Sequence, residues 1–344
     1  MSTENPRDDQ RHQPGDQQGD QQPDVEDVPD IAVATSVGMI ERPALLAEAM
    51  GETAVEEEGT SLWQGALQRL VRNPSAIIGA VIVALFILVA IFADLLAPYE
   101  PAKSQWISQI TPVALPPFSA EHPLGLDPFG SDLLTQLIYG ARQSLIIGVV
   151  STTLGLIGGS ILGGIAGAFG GWVDVVVMRI VDILLSIPAL LLAVSIAAVM
   201  GPQSTALMVA IAAAQVPIFA RLLRGSMLSE TRKDYVLASW SLGLKRNTIT
   251  MSHVLPNSLG PVLVQATLTL ATAIIEVAAL SYLGLGAPDP TIAEWGRMLV
   301  KAQDRLQSAP HLTVLPGLCI AVTALGFTLL GEALREALDP KSRR

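Results

Sequence analysis

The sequence predicts an all-α integral membrane protein with six transmembrane helices, and three observations carry that reading. Of its 344 residues, 50% are hydrophobic and only 15% are charged, where a soluble domain carries about 25% charge. The apolar residues gather in blocks of about 20, the length that crosses a hydrocarbon core of about 30 Å as a helix. These blocks lack the alternation of a membrane barrel, so helices must satisfy the backbone in lipid.

The spans are expected at residues 76–97, 144–169, 175–200, 204–223, 259–283 and 312–334. Lys and Arg in the short loops orient them. With the N-terminus inside, thirteen basic residues fall on the inner side, among them Arg69, Arg72, Arg224, Lys245 and Arg335. Five fall outside: Lys103, Arg142, Arg297, Lys301 and Arg305. That bias, and the even number of spans, predict an N-in, C-in chain.

The flanking segments divide by composition. Residues 1–60 hold 15 of the 31 acidic residues and 3 of the 21 basic ones. They read as an acidic, disordered cytoplasmic tail with no signal peptide, either a solvated, dispensable extension or a docking or regulatory arm. Residues 61–75 carry apolar side chains at helical spacing beside Arg69 and Arg72, which suits an amphipathic helix on the inner surface. Residues 98–143 form an external segment, 144–340 a five-helix core with a loop at 225–258, and 341–344 a basic end.

Several span residues have stated expectations. Gly155, Gly159 and Gly163 recur every fourth residue, so a neighbouring helix can pack closely there. Pro188 and Pro217 each remove a backbone hydrogen bond and favour a kink. Glu276 lies deep in the fifth span, where a charge costs about 2.5–3.5 kcal/mol on insertion scales. It should face protein or water; a hydrogen-bonding role and a place on a pathway both fit. The single cysteine, Cys319, is a small packing residue. The four histidines do not cluster, and no metal-ligand spacing occurs. His122 is expected to shape a turn with Pro123 and Gly125.

The cytoplasmic loop is the most informative segment. Asp234, Tyr235, Leu237, Ala238 and Ser239 lie in a helical stretch that Gly243 can terminate. Residues 248–254 begin a second short helix, which Pro256 is expected to break before the fifth span. The product is two short helices at an angle, projecting from the membrane. The loop resembles the coupling loop of binding-protein-dependent ABC importer permeases, in which Glu-Ala-Ala, three residues, Gly, nine residues, Ile, one residue and Leu-Pro recur. Here Leu237-Ala238-Ser239, Gly243 and Leu255-Pro256-Asn257 hold those positions, with Leu237 in place of Glu and His253 in place of Ile. The dipeptide and oligopeptide branch is closer. Further likenesses to that branch are His122-Pro-Leu-Gly, Leu280-Ser-Tyr-Leu-Gly, Glu294-Trp295-Gly296 and Leu330-Gly331-Glu332. They cover about residues 62–340 and point to its C component.

The resemblance implies a type I ABC importer permease fold in the bacterial plasma membrane. It also implies the partners: a homologous second permease subunit, two ATPase subunits, an extracytoplasmic solute-binding protein and membrane lipid, with no nucleic acid. Peptides are the expected solute; nickel chelates, glutathione or another small solute are the alternatives. No Gly-x-x-x-x-Gly-Lys-Ser/Thr loop occurs, so the chain is expected to be no enzyme, to have no catalytic residue and to hold no cofactor, ATP and Mg being bound by partners. A stand-alone secondary transporter fits poorly, because the spans hold few ionisable residues and six spans leave little room for two inverted halves. An intramembrane hydrolase lacks its motifs.

Overall fold

The computed structural model describes residues 68–101, 106–110, 119–289 and 292–338. The acidic tail, residues 61–67 of the expected surface helix and the basic end lie outside the described residues. Among the described residues, nine helices of eight residues or more carry the architecture: α1 Pro74–Ile91, α2 Leu133–Phe169, α3 Gly171–Ser186, α4 Ala189–Met200, α5 Ser204–Glu230, α6 Asp234–Ser241, α7 Leu255–Tyr282, α8 Trp295–Ala302 and α9 His311–Leu338. No strand occurs among the described residues; one isolated bridge joins Leu126 and Asp132.

Five stretches are long and apolar enough to cross a membrane, namely α1, α2, α5, α7 with the turns before it, and α9; the bent pair α3–α4 makes six. Their surfaces are inverted relative to a soluble bundle. In α1 only Ala76, Gly79 and Val83 are buried, while Ile78, Val81, Leu85 and Ile91 are exposed. An apolar outer face suits lipid, and small residues mark the inner face. A Cβ on Gly79 would lie 2.8 Å from Gly326 O of α9, so these two backbones touch.

The glycine stripe of α2 works in the same way against α5. A Cβ on Gly155 would lie 2.9 Å from Gln215 Cβ, one on Gly159 2.6 Å from Val216 O, and one on Gly163 2.9 Å from Ala220 Cα. Real Cβ atoms do not come this close, so hydrogen at these positions sets the helix separation.

Three boundaries differ from the sequence reading. First, α2 begins at Leu133, so residues 133–143 of the expected external segment already belong to the helix of the second span. The Asp132 side chain caps α2 by accepting from Thr135 N at 2.8 Å. Second, the third span is broken: α3 and α4 meet at 92°. Ile187, which precedes Pro188, leaves the helical region at ψ 129° because the proline ring disfavours it there. The 12 residues of α4 then extend only about 18 Å. Pro217, by contrast, lies inside a single helix, α5. Third, Pro256 breaks nothing. Arg246–Ile249 is helical, Thr250–Val254 forms one π-helical turn, and the chain continues into α7, where Pro256 occupies the first turn. The π-helical turn just before it, closed by Leu255 N–H donating to Thr250 O, replaces the ordinary ladder where the proline has no N–H to give, so the helix passes through without a break, and only α6 remains as a separate short helix in this loop. Two ion pairs hold α3 to α5, Arg224 with Asp174 (Nη2 to Oδ2, 2.6 Å) and Arg221 with Asp182.

Candidate functional site

Helix α6 owes its ends to local chemistry. Lys233 is extended (φ −78°, ψ 150°), and Asp234 follows in the first turn, where the helix dipole favours negative charge. The helix closes in a Schellman motif. Gly243 N–H donates to Trp240 O at 2.9 Å and Leu244 N–H to Ser239 O at 3.3 Å. Gly243 makes this possible with φ +78°, a left-handed conformation that other residues adopt at a cost of about 1–2 kcal/mol.

One side of α6 is anchored. Val236 is buried with Phe219, Leu223 and Met227 of α5, Ile249 and Val254 of the following turns, and Val262 of α7. Ser239 is also buried, its hydroxyl donating to Tyr235 O at 2.8 Å. The Tyr235 hydroxyl donates to Glu230 Oε1 at 2.6 Å, and Lys233 Nζ pairs with Glu230 Oε2 at 2.8 Å. Asn257 Nδ2 donates to His253 O at 2.7 Å and to the Tyr235 hydroxyl at 3.3 Å. Burial, and the Glu230 carboxylate accepting its proton, push the Tyr235 phenol up to about 12, so it stays a donor throughout the physiological range.

The other side is unpartnered and apolar. Leu237 is 54% exposed, Trp240 49% and Leu242 82%, with Met251 close behind in sequence and also exposed. Asp234 and Ala238 are exposed as well. The structure therefore brings Tyr235, Ser239, His253 and Asn257 to the anchoring side. It leaves Asp234, Leu237 and Ala238 outward, and places Leu255 and Pro256 in the first turn of α7.

Two residues of this anchorage were not read from the sequence. Glu230 is buried at the end of α5 and joins Tyr235 and Lys233. Arg246 Nη2 donates to Ala168 O at 3.0 Å and Phe169 O at 3.2 Å, closing the C-terminal carbonyls of α2. Its only signal was a cation in the loop, and the partner lies 78 residues away.

Beyond the end of α7, the segment before α8 forms a second locked region. Trp295 is fully buried, and its indole N–H donates to Leu137 O at 3.1 Å. Gly140 admits the indole, since a Cβ there would lie 2.6 Å from Trp295 Cδ1. Glu294 is fully buried and accepts from Ser281 Oγ at 2.5 Å, and burial pushes its carboxyl up to about 7. His122 N–δ1 sits 3.0 Å from Asp132 Oδ1. Gly125, at φ +85°, donates its N–H to His122 O at 3.0 Å and makes the turn. Among the described residues no group of His, Cys, Asp and Glu is arranged to hold a metal ion. Glu276 is half-buried in α7, beside Gln215 of α5.

Comparison with known proteins decides the family. Residues 159–344 match the model of the binding-protein-dependent transport system inner membrane component. The chain belongs to that family. Residues 61–117 further match the N-terminal transmembrane domain of oligopeptide transport permease C. The chain is 44% identical over 283 residues to the dipeptide transport system permease protein DppC of Alkalihalophilus pseudofirmus, covering 82% of this chain and 91% of that one. It is 38% identical over 279 residues to the glutathione transport system permease protein GsiD of Pectobacterium atrosepticum (81% and 91% covered). It is 37% identical over 290 residues to the oligopeptide transport system permease protein OppC of Bacillus subtilis (84% and 93% covered). A chain of the MetNI methionine ABC transporter, in an inward-facing conformation, shares the fold with a TM-score of 0.50 at 19% identity, covering 60% of this chain and 98% of that one. This ABC-importer permease subunit is thus a multi-pass inner-membrane protein of a family that works with ATPase and binding-protein partners.

Proposed function

We propose that the permease pairs with a homologous second permease subunit in a bacterial plasma membrane, that the pair encloses a pathway for peptides, and that α6 receives the motion of two ATPase subunits. The observation that carries this reading is the two-sided character of α6. One side is fixed to α5 and α7 through Val236 and the Tyr235–Glu230–Asn257 contacts, and Arg246 ties the same loop to α2. The other side presents Leu237, Trp240 and Leu242, an apolar face that a groove on an ATPase would cover. The excess of Lys and Arg in the loops on this side supports a cytoplasmic position for this face, where ATP is held.

The substrate follows from the relatives. Relatives at 37–44% identity are named for dipeptides, di- and tripeptides, oligopeptides and glutathione, itself a tripeptide. The chain has no phosphate-binding loop, so ATP and Mg belong to the partner subunits and this chain supplies pathway and linkage. ATP-driven closure of the ATPases would shift the pathway between inward-open and outward-open states by displacing α6.

The test uses the whole importer reconstituted in vesicles with its binding protein. Gly243→Asp, or deletion of 235–243, should abolish ATP-dependent dipeptide uptake while the permease still inserts, and the ATPase subunits should no longer co-purify. Full uptake by either variant would refute the role of α6. Uptake by the intact importer that is inhibited by glutathione but not by dipeptides would replace the substrate.

A further inference from the structure

We propose that Glu276, Gln215 and Thr152 form an intramembrane site for the cationic amino terminus of the transported solute. The nature of the solute rests on the peptide reading above; the anionic site itself rests on the geometry.

Three helices bring these side chains together. A Cβ on Gly148 of α2 would lie 3.3 Å from Ile274 Cγ1 of α7, and one on Gly155 3.2 Å from Gln215 Oε1 of α5. Thr152 lies between those glycines on the same face of α2, four residues after one and three before the other. Gln215, in turn, is a close neighbour of the Glu276 carboxyl.

The polar atoms of this junction are left unmatched. Gln215 is 2% exposed, yet neither its amide oxygen nor its amide nitrogen makes a hydrogen bond of good geometry, although the carboxyl of Glu276 is beside it. Buried Thr152 Oγ1 and Glu276 Oε2 have no partner either. Buried polar atoms without partners are costly, so such a cluster persists where something else completes it. Glu276 enters no ion pair among the described residues.

Glu276 stands at the edge of this junction, half-buried, while its Oε2, Thr152 Oγ1 and both amide atoms of Gln215 are shut from solvent. Glu276 shares a stripe of α7 with Gln265 and Thr272, at spacings of seven and four residues. Thr272 is exposed, and Gln265 and Glu276 are half-buried, along the border between the buried and the exposed sides of α7. A polar stripe on a span does not face lipid; it faces protein or a water-filled path. The unmatched acceptors are a carboxylate, an amide oxygen and a hydroxyl, the set that holds an ammonium group. Every linear peptide with a free amino terminus carries one. Gly155 has no side chain to displace Gln215 from the junction.

The experiment compares variants in the reconstituted importer. Glu276→Gln keeps the shape and removes the charge, and Glu276→Asp keeps the charge. Glu276→Gln should lower the maximal rate of dipeptide uptake about tenfold, the scale of one charge-assisted hydrogen bond, with KM unchanged because the binding protein sets it. Glu276→Asp should recover much of the rate, and Thr152→Val should lose about threefold. The importer without its binding protein, held in nanodiscs, should bind a dipeptide amide more tightly than the same compound N-acetylated, and Glu276→Gln should remove that difference. A wild-type rate in Glu276→Gln, equal losses in Glu276→Gln and Glu276→Asp, or no preference for the free amine would overturn the site. A wild-type importer that moves no peptide at all would overturn the peptide reading instead.

Discussion

Gly163→Ala should separate α2 from α5. The added methyl would sit 2.9 Å from Ala220 Cα and 3.0 Å from its carbonyl carbon, with Ala220 O nearer still. Ordinary carbon contacts lie at about 3.5–4.0 Å, so the helices must part by roughly 0.5–1 Å. The obstacle is backbone, which cannot turn aside as a side chain can. Overpacking of this kind costs about 1–3 kcal/mol. At about 2–4 °C per kcal/mol for a chain of this size, the unfolding midpoint should fall by about 5 °C. The neighbouring residue supplies the control. A Cβ on Gly164 meets only Leu223 Cδ2, at 3.9 Å, so Gly164→Ala should be neutral, or stabilising by up to about 1 kcal/mol through helix propensity. Thermal unfolding of the purified importer in detergent, followed by tryptophan fluorescence, reads both variants. A Gly163→Ala midpoint within about 1 °C of wild type, or an equal loss in Gly164→Ala, would refute the close-contact argument.

The remaining predictions concern the region between α7 and α8. Glu294 has its carboxyl raised from 4.5 to about 7 by burial. The folded state therefore binds a proton more tightly than the unfolded state, and its stabilising effect is complete below about pH 4.5. Stability should fall as pH rises from about 4.5 to 7 and then level off; Glu294→Gln should remove that slope in pH-dependent unfolding scans. Trp295→Ala should cost about 3–5 kcal/mol, because it empties a fully buried site, leaves Leu137 O without its donor and removes the edge-to-face contact with Phe86 at 5.6 Å. Trp295→Phe should recover part of that loss in the same thermal assay.

The legible features were those in which one stretch of chain carries its own signal. The apolar blocks, the glycines every fourth residue in α2 and the terminating Gly243 depend on local periodicity or on a single backbone conformation. What was missed depends on distant partners. Arg246 reads as one more loop cation until the end of α2 lies beside it. Glu294 and Ser281 belong to two motifs that were each noticed, but nothing in their spacing said they would share a hydrogen bond. The prolines are instructive in another way. Pro188 and Pro217 were treated alike, and Pro256 was expected to break a helix. The outcomes differ because the residue before Pro188 turned extended, α5 absorbed Pro217, and Pro256 follows a π-helical turn that carries the helix past it.

These attachments bear on how force would pass through the permease. A loop transmits a push only when it cannot bend to absorb it. Helix α6 has two loose ends in sequence, the extended Lys233 and the glycine turn at 243, and both are closed by other contacts. Lys233 is held through Glu230, and the residues after Gly243 are held by Arg246 on α2 and by Ile249 and Val254 in the shared core. Val236 stands between α5 and α7 at the centre. A displacement of α6 relative to the membrane would therefore move the inner ends of α2, α5 and α7 together. These helices also supply Thr152, Gln215 and Glu276. Because α2 and α5 are in backbone contact along Gly155, Gly159 and Gly163, little of the motion can be lost between them. The relative movement would fall on α7, whose continuity with the π-helical turn at Thr250–Val254 offers the nearest place to yield. Opening and closing of the Glu276 side of the junction would then follow from the position of α6.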